Sequence, residues 1–107
     1  MRPLIHPNIE DINLEQLLYA LSDPTRLQIV TRLYNNQGEQ SCSHFEDLGK
    51  KSNLSHHYRT LRENGLIHIR RNGRNSFLSL RKTELNKYFP NLIGSIMNIQ
   101  KEMNTGK

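Results

Sequence analysis

Residues Leu48 to Arg81 read LGKKSNLSHHYRTLRENGLIHIRRNGRNSFLSLR, and their pattern decides the fold. From Ser52 to Asn64 the apolar Leu54, Tyr58 and Leu61 recur at spacings of four and three, which places them on one side of a helix. The other side carries Ser52, His56, Arg59 and Glu63. Hydroxyl, imidazole and guanidinium groups with almost no carboxylate suit a helix that meets base edges and phosphates in a major groove. Gly49 precedes this helix, where a helix-turn-helix needs a small residue. Asn64-Gly65 predicts a left-handed C-cap, and Leu66, Ile67 and Ile69 open a β-rich run.

At Arg71-Asn72-Gly73-Arg74 the Asn-Gly pair is expected to supply the positive φ values of a tight hairpin, with a return strand from about Asn75 to Leu80. Arg70, Arg71 and Arg74 cluster at its tip, where a cationic hairpin can follow the backbone or enter a narrow minor groove. One exposed arginine is ordinary surface, but a helix and hairpin that are basic together point to nucleic acid.

Charge along the chain supports this. Residues 1–49 hold three Arg/Lys against seven Asp/Glu, whereas residues 50–82 hold nine against Glu63 alone. The net charge of +5 therefore conceals a strongly cationic block beside an acidic N-terminal half. Such asymmetry predicts binding that weakens steeply with salt.

The 107 residues are expected to form a single domain, 1–107, with a limited core. No apolar run is long enough to span a membrane, and MRPLIHPNIEDIN lacks the pattern of a signal peptide. The single cysteine, Cys42, excludes an intramolecular disulfide and fits a reducing cytoplasm. Residues Met1 to Asn8 and Asn104 to Lys107 are expected to be mobile tails.

Upstream, Leu14, Leu17, Leu18 and Leu21 form a helical stripe within Glu10–Leu21, with Asn8 or Asp11 as candidate caps. Asp23-Pro24 restarts the chain as a helix to about Tyr34, with Leu27, Val30 and Leu33 inward. A short strand near Gln40 and Ser41 is expected to pair with the hairpin, followed by a brief helix over Ser43 to Leu48. Thr83 is a candidate cap for a short turn through Tyr88, and Pro90 for the start of a last helix to Met103. On that helix Phe89, Leu92, Ile93, Ile96, Met97 and Met103 share a stripe, more than a small domain easily covers, which implies a second copy of the chain.

The sequence resembles the ArsR/SmtB family of bacterial winged helix-turn-helix transcriptional regulators. The resemblance rests on Ala20-Leu21-Ser22-Asp23-Pro24-Thr25-Arg26-Leu27 and on Leu54 through Ile67, and spans roughly residues 14–82. It implies a mainly α fold with a small β-hairpin wing, in α-α-β-α-α-β-β-α order. It also implies a homodimer formed through the first and last helices, here Leu14, Leu17, Leu18, Leu92, Ile93, Ile96 and Met97. The function implied is sequence-specific binding of a double-stranded DNA operator, with repression relieved by a small-molecule or redox effector. Carried over by position, the DNA-facing residues are Ser52, Asn53, Ser55, His56 and Arg59, with Arg70, Arg71 and Arg74 on the wing. His57, on the flank of the helix, is open to either packing or DNA contact.

Sensor chemistry has one foothold, the Cys42-Ser43-His44 run. Soft-metal sites of the family near this position use two or three thiolates, and a closed zinc site needs four ligands. Glu46, Asp47, His6 or a second subunit would have to complete it. A lone small thiol beside a surface imidazole is the plainer reading. The last helix has no histidine and Glu102 as its acid, so the family's other metal site has no ligands there. Oxidation or persulfidation of Cys42 remains as a redox alternative. No cofactor is expected.

No phosphate loop, nucleophile elbow or paired His-Glu zinc motif accompanies the histidines, which argues against an enzyme. A winged-helix module for protein or RNA is the other alternative. Tyr58 and Phe77 both fall at inward positions, leaving no stacking platform for single-stranded bases.

Overall fold

The computed structural model describes residues 4–105. A 3-10 turn, Ile9–Asp11, precedes helices α1 (Leu14–Leu21) and α2 (Pro24–Asn35). Strand β1 (Gln40–Ser41) leads into a 3-10 helix, Cys42–Leu48, and then helix α3 (Lys51–Glu63). Strands β2 (Ile67–Asn72) and β3 (Asn75–Leu80) form the hairpin, followed by α4 (Lys82–Tyr88) and α5 (Leu92–Thr105). The sheet is antiparallel with order β1-β3-β2, and Gln40 pairs with Leu78. This is the winged helix-turn-helix that the pattern predicts.

The elements begin where local chemistry allows. Asn13, not Asn8 or Asp11, caps α1: its side chain accepts from the Gln16 amide at 2.9 Å while Gln16 Oε1 accepts from the Asn13 amide at 3.0 Å. This reciprocal pair splits the expected helix Glu10–Leu21 into a 3-10 turn and a shorter helix. Asp23 caps α2 by accepting from the Arg26 amide at 3.0 Å, with Pro24 at the first helical position. Thr83 lies inside α4, whose N-cap is Arg81. Asn91, in the left-handed region at φ 66°, turns the chain after Pro90, so the last helix starts at Leu92.

The core joins Leu17, Ile29, Phe45, Leu61, Leu66, Ile67, Leu78 and Leu85 from nearly every element. Burial of that apolar area is the dominant favourable term in a domain of this size. Residues 1–3 and 106–107 of the expected tails lie outside the described residues. Residues 4–8 are not free: Arg62 donates to the Ile5 carbonyl, His6 accepts from the Ile69 amide at 3.0 Å, and Arg81 donates to the Pro7 carbonyl at 2.7 Å. A tail at a chain end stays put when side chains of the core elements satisfy its backbone.

Candidate nucleic-acid interface

The reading helix α3 buries Leu54, Tyr58 and Leu61, and exposes Ser52, Asn53, Ser55, His56 and Arg59. No acid occupies its first turn and Lys51 is exposed there, so the start of the helix carries charge of one sign. Its end is a Schellman motif: the Leu66 amide bonds the Leu61 carbonyl at 3.0 Å and the Gly65 amide bonds the Arg62 carbonyl at 3.2 Å. Gly65 has φ +82°, and a Cβ built there would lie 2.7 Å from Cγ1 of Ile12. Glycine is required twice over, by dihedral and by space.

Two buried or half-buried arginines of α2 hold the two helices of the reading motif in place, Arg26 at α3 and Arg32 at the 3-10 helix before it. Arg26 donates through Nε to the Ala20 carbonyl at 2.7 Å, and its Nη1 lies 3.3 Å from Nδ1 of His57. His57 is also 3.8 Å from the Asp23 carboxylate, so it packs against the α1–α2 turn instead of facing outward. Arg32 grips Asp47 with two prongs, 2.8 and 2.7 Å, and donates to the His44 carbonyl at 3.0 Å, which docks the 3-10 helix onto α2. The Arg32 guanidinium beside Asp47 holds that carboxyl below its ordinary range.

The wing turn differs in detail from its sequence reading. Asn72 pairs with Asn75, so the two loop residues are Gly73 and Arg74, and Gly73 alone of these has a positive φ, 64°. Glycine at the first loop position is the pattern of a type II′ turn. Alternation along β2 separates the arginines. Arg71 and Arg74, with Asn75 and Ser76, line a cleft of about 1200 Å³ shared with Lys51, Ser55 and Arg59. Arg70 is absent from that lining: it forks onto Glu39 at 2.9 and 2.9 Å and lies 4.7 Å over the Phe77 ring. Its hydrogen bonds hold the Glu39 carboxyl below the ordinary value. Of the wing arginines named from sequence, two are brought to the reading helix and Arg70 is turned to a structural partner. Lys51, unmarked in the sequence reading beyond the basic block, joins the cleft.

The positions expected at a dimer interface divide in the same way. Leu17, Ile93 and Met97 are buried in the chain's own core, which removes them from any outer face. Leu92 and Ile96 pack partly against that core. Leu14 and Leu18 are exposed, as are Tyr19 beside them and Ile99 and Met103 on α5. A helix in a small domain uses one side for its own core, which leaves only the flanks of these stripes outside.

Cys42 is half-buried, and burial pushes its thiol above the ordinary value. His44 Nδ1 is 2.7 Å from Gln40 Oε1. Asp47 is committed to Arg32 and His6 to the Ile69 amide. Among the described residues no group of three His, Cys, Asp or Glu side chains stands close enough to enclose a metal ion. No helix of the described residues is long and apolar enough to cross a membrane.

Comparison with known proteins settles the class. Residues 21–70 match a helix-turn-helix domain family. The HTH-type transcriptional regulator YceK of Bacillus subtilis is 36% identical over 86 residues, covering 76% of this chain and 83% of YceK. The chain belongs to the ArsR/SmtB family of winged-helix transcriptional regulators. Among solved structures, the transcriptional repressor BigR of Xylella fastidiosa superposes with TM-score 0.64 at 30% identity, over 80% of this chain and 84% of BigR. HlyU of Vibrio cholerae gives TM-score 0.66 at 29% identity, over 79% of this chain and 88% of HlyU. An ArsR family regulator, RHA00566, shares the fold across 96% of this chain at TM-score 0.61 and 20% identity. This ArsR/SmtB member is therefore a DNA-binding regulator of transcription and not an enzyme.

Proposed function

We propose that the protein is a homodimeric repressor that reads an operator in duplex DNA through the cleft between α3 and the wing. The observation that carries this reading is one concave surface shared by Lys51, Ser55 and Arg59 of α3 and Arg71 and Arg74 of the wing. In it, α3 lies in the major groove, with Ser52, Asn53, Ser55, His56 and Arg59 toward bases and phosphates. Arg71 and Arg74 follow the flanking backbone or the minor groove. Two copies join through exposed flanks of the first and last helices, Leu14 and Leu18 with Ile99 and Met103, and present two reading helices to half-sites one turn apart. The similarity to BigR, itself a transcriptional repressor, supports repression. Burial raises the half-buried Cys42 thiol above its ordinary value, which favours a regulator that does not use this thiolate as its sensor.

Selection of bound duplexes from a random pool, with the mass of the complex measured by sedimentation, tests the proposal. Enrichment of a two-fold symmetric sequence bound by two chains is expected. A pool that stays random, or one chain per duplex, contradicts it.

A further inference from the structure

We propose that His6 is a positioning residue for DNA reading, tying the wing to α3 through the N-terminal segment and releasing the wing when its imidazole is protonated. The DNA half rests on the interface proposed above, and the tie itself does not.

Strand β2 is an edge of the sheet, with β3 on one side. On its other side the Ile69 amide donates to His6 Nε2 at 3.0 Å, as a neighbouring strand would accept it. The residue beside His6, Ile5, accepts through its carbonyl from Arg62 of α3, and Pro7 accepts from Arg81 at 2.7 Å. The segment therefore bridges the reading helix, the wing and the start of α4. Leu4, Ile5 and Pro7 line the same cleft as Arg59 and Arg71. Loss of the His6 bond frees the edge of the wing beside the surface that meets DNA.

Only a neutral imidazole can accept that bond, because imidazolium carries N–H on both nitrogens. The surroundings oppose a second proton. Burial, then the charges of His68, Arg62 and Arg81, hold His6 below its ordinary value of 6.5. The His68 ring lies 5.0 Å away, centroid to centroid. Glu84, the acid on α4 in this group, is engaged by Arg81 at 3.0 and 2.7 Å and lies 3.4 Å from His68. The sign follows. The neutral form makes the tie, so the tie is complete above the unperturbed value and is lost as pH falls through the depressed one. A variant that cannot titrate at position 6 isolates the share of this tie in any change of DNA affinity with pH.

The test uses the full chain as wild type, His6→Gln and His6→Ala. Glutamine keeps an acceptor without a titrating group. Without DNA, exchange protection and chemical shift of the Ile69 amide are followed by NMR from about pH 7.5 to about pH 5. Wild type is expected to lose protection with an inflection below the ordinary histidine value, His6→Gln to keep it throughout, and His6→Ala to lack it throughout. Over the same range the affinity of wild type for duplex DNA should fall relative to His6→Gln by roughly two- to tenfold, the scale of one hydrogen bond. An Ile69 amide that does not titrate, or titrates equally in His6→Gln, overturns the tie. A titrating tie with no relative change in affinity overturns the positioning role. Absence of duplex binding at every pH refutes the DNA interface, while the Ile69 titration still decides the tie.

Discussion

The Arg70 guanidinium is committed to Glu39, with Nε to Oε2 and Nη2 to Oε1 both at 2.9 Å. Its neighbour Arg71 points to the other face of the same strand and lines the cleft beside α3. Two adjacent arginines thus have different duties. In a salt series, Arg71→Ala and Arg74→Ala should each flatten the slope of log affinity against log salt by about one unit if each side chain neutralises one phosphate. Arg70→Ala should leave the slope nearly unchanged and cost the fold little, because the pair is exposed. An Arg70→Ala slope as shallow as that of Arg71→Ala would place Arg70 on DNA.

On α3, Arg59→Ala and His56→Ala should weaken duplex binding by about tenfold or less each, the scale of a single hydrogen bond, with unchanged helical circular dichroism. Both side chains are exposed, so neither supports the core. Loss of secondary structure in either variant would contradict the helix phase.

That phase was legible in the sequence because Leu54, Tyr58 and Leu61 are spaced for one face, and the structure buries all three. The hairpin was legible for a similar local reason, the Asn72-Gly73 pair, although only Gly73 takes a positive φ. Side-chain commitments across the fold were not legible. Nothing near Arg70 in sequence announces Glu39, which is 31 residues away, nor does Cys42 announce its own burial. The stripe on α5 reads in the sequence as an outer face, but its Ile93 and Met97 belong to the core, since periodicity identifies an apolar side and not what covers it. The tie between His6 and Ile69 spans 63 residues and has no local signal at all.

Gly65 is the position where backbone and packing demand the same residue. Gly65→Ala should destabilise the chain by roughly 1–3 kcal/mol from the left-handed backbone alone, with a further cost from crowding Ile12. Urea unfolding measures this. A midpoint equal to wild type would contradict the C-cap geometry.

The exposed apolar flanks and the buried stripe make opposite predictions for one kind of change. Leu18→Asp or Ile99→Asp should give a folded monomer by sedimentation, with much weaker DNA binding. Met97→Asp should unfold the chain, because it places a charge in the core. A dimer that persists in both Leu18→Asp and Ile99→Asp would move the interface to another surface.

The most direct test of the cleft as the DNA-reading surface is fluorescence anisotropy on a duplex from upstream of the protein's own gene. An unrelated duplex and a salt series serve as controls, and wild type is compared with Arg59→Ala. Wild type is expected to bind selectively and in a salt-sensitive way, and removing Arg59 should reduce the preference between the two duplexes by up to about tenfold. Equal binding to both duplexes by wild type, or an Arg59→Ala variant that keeps full affinity and preference, would contradict the assignment.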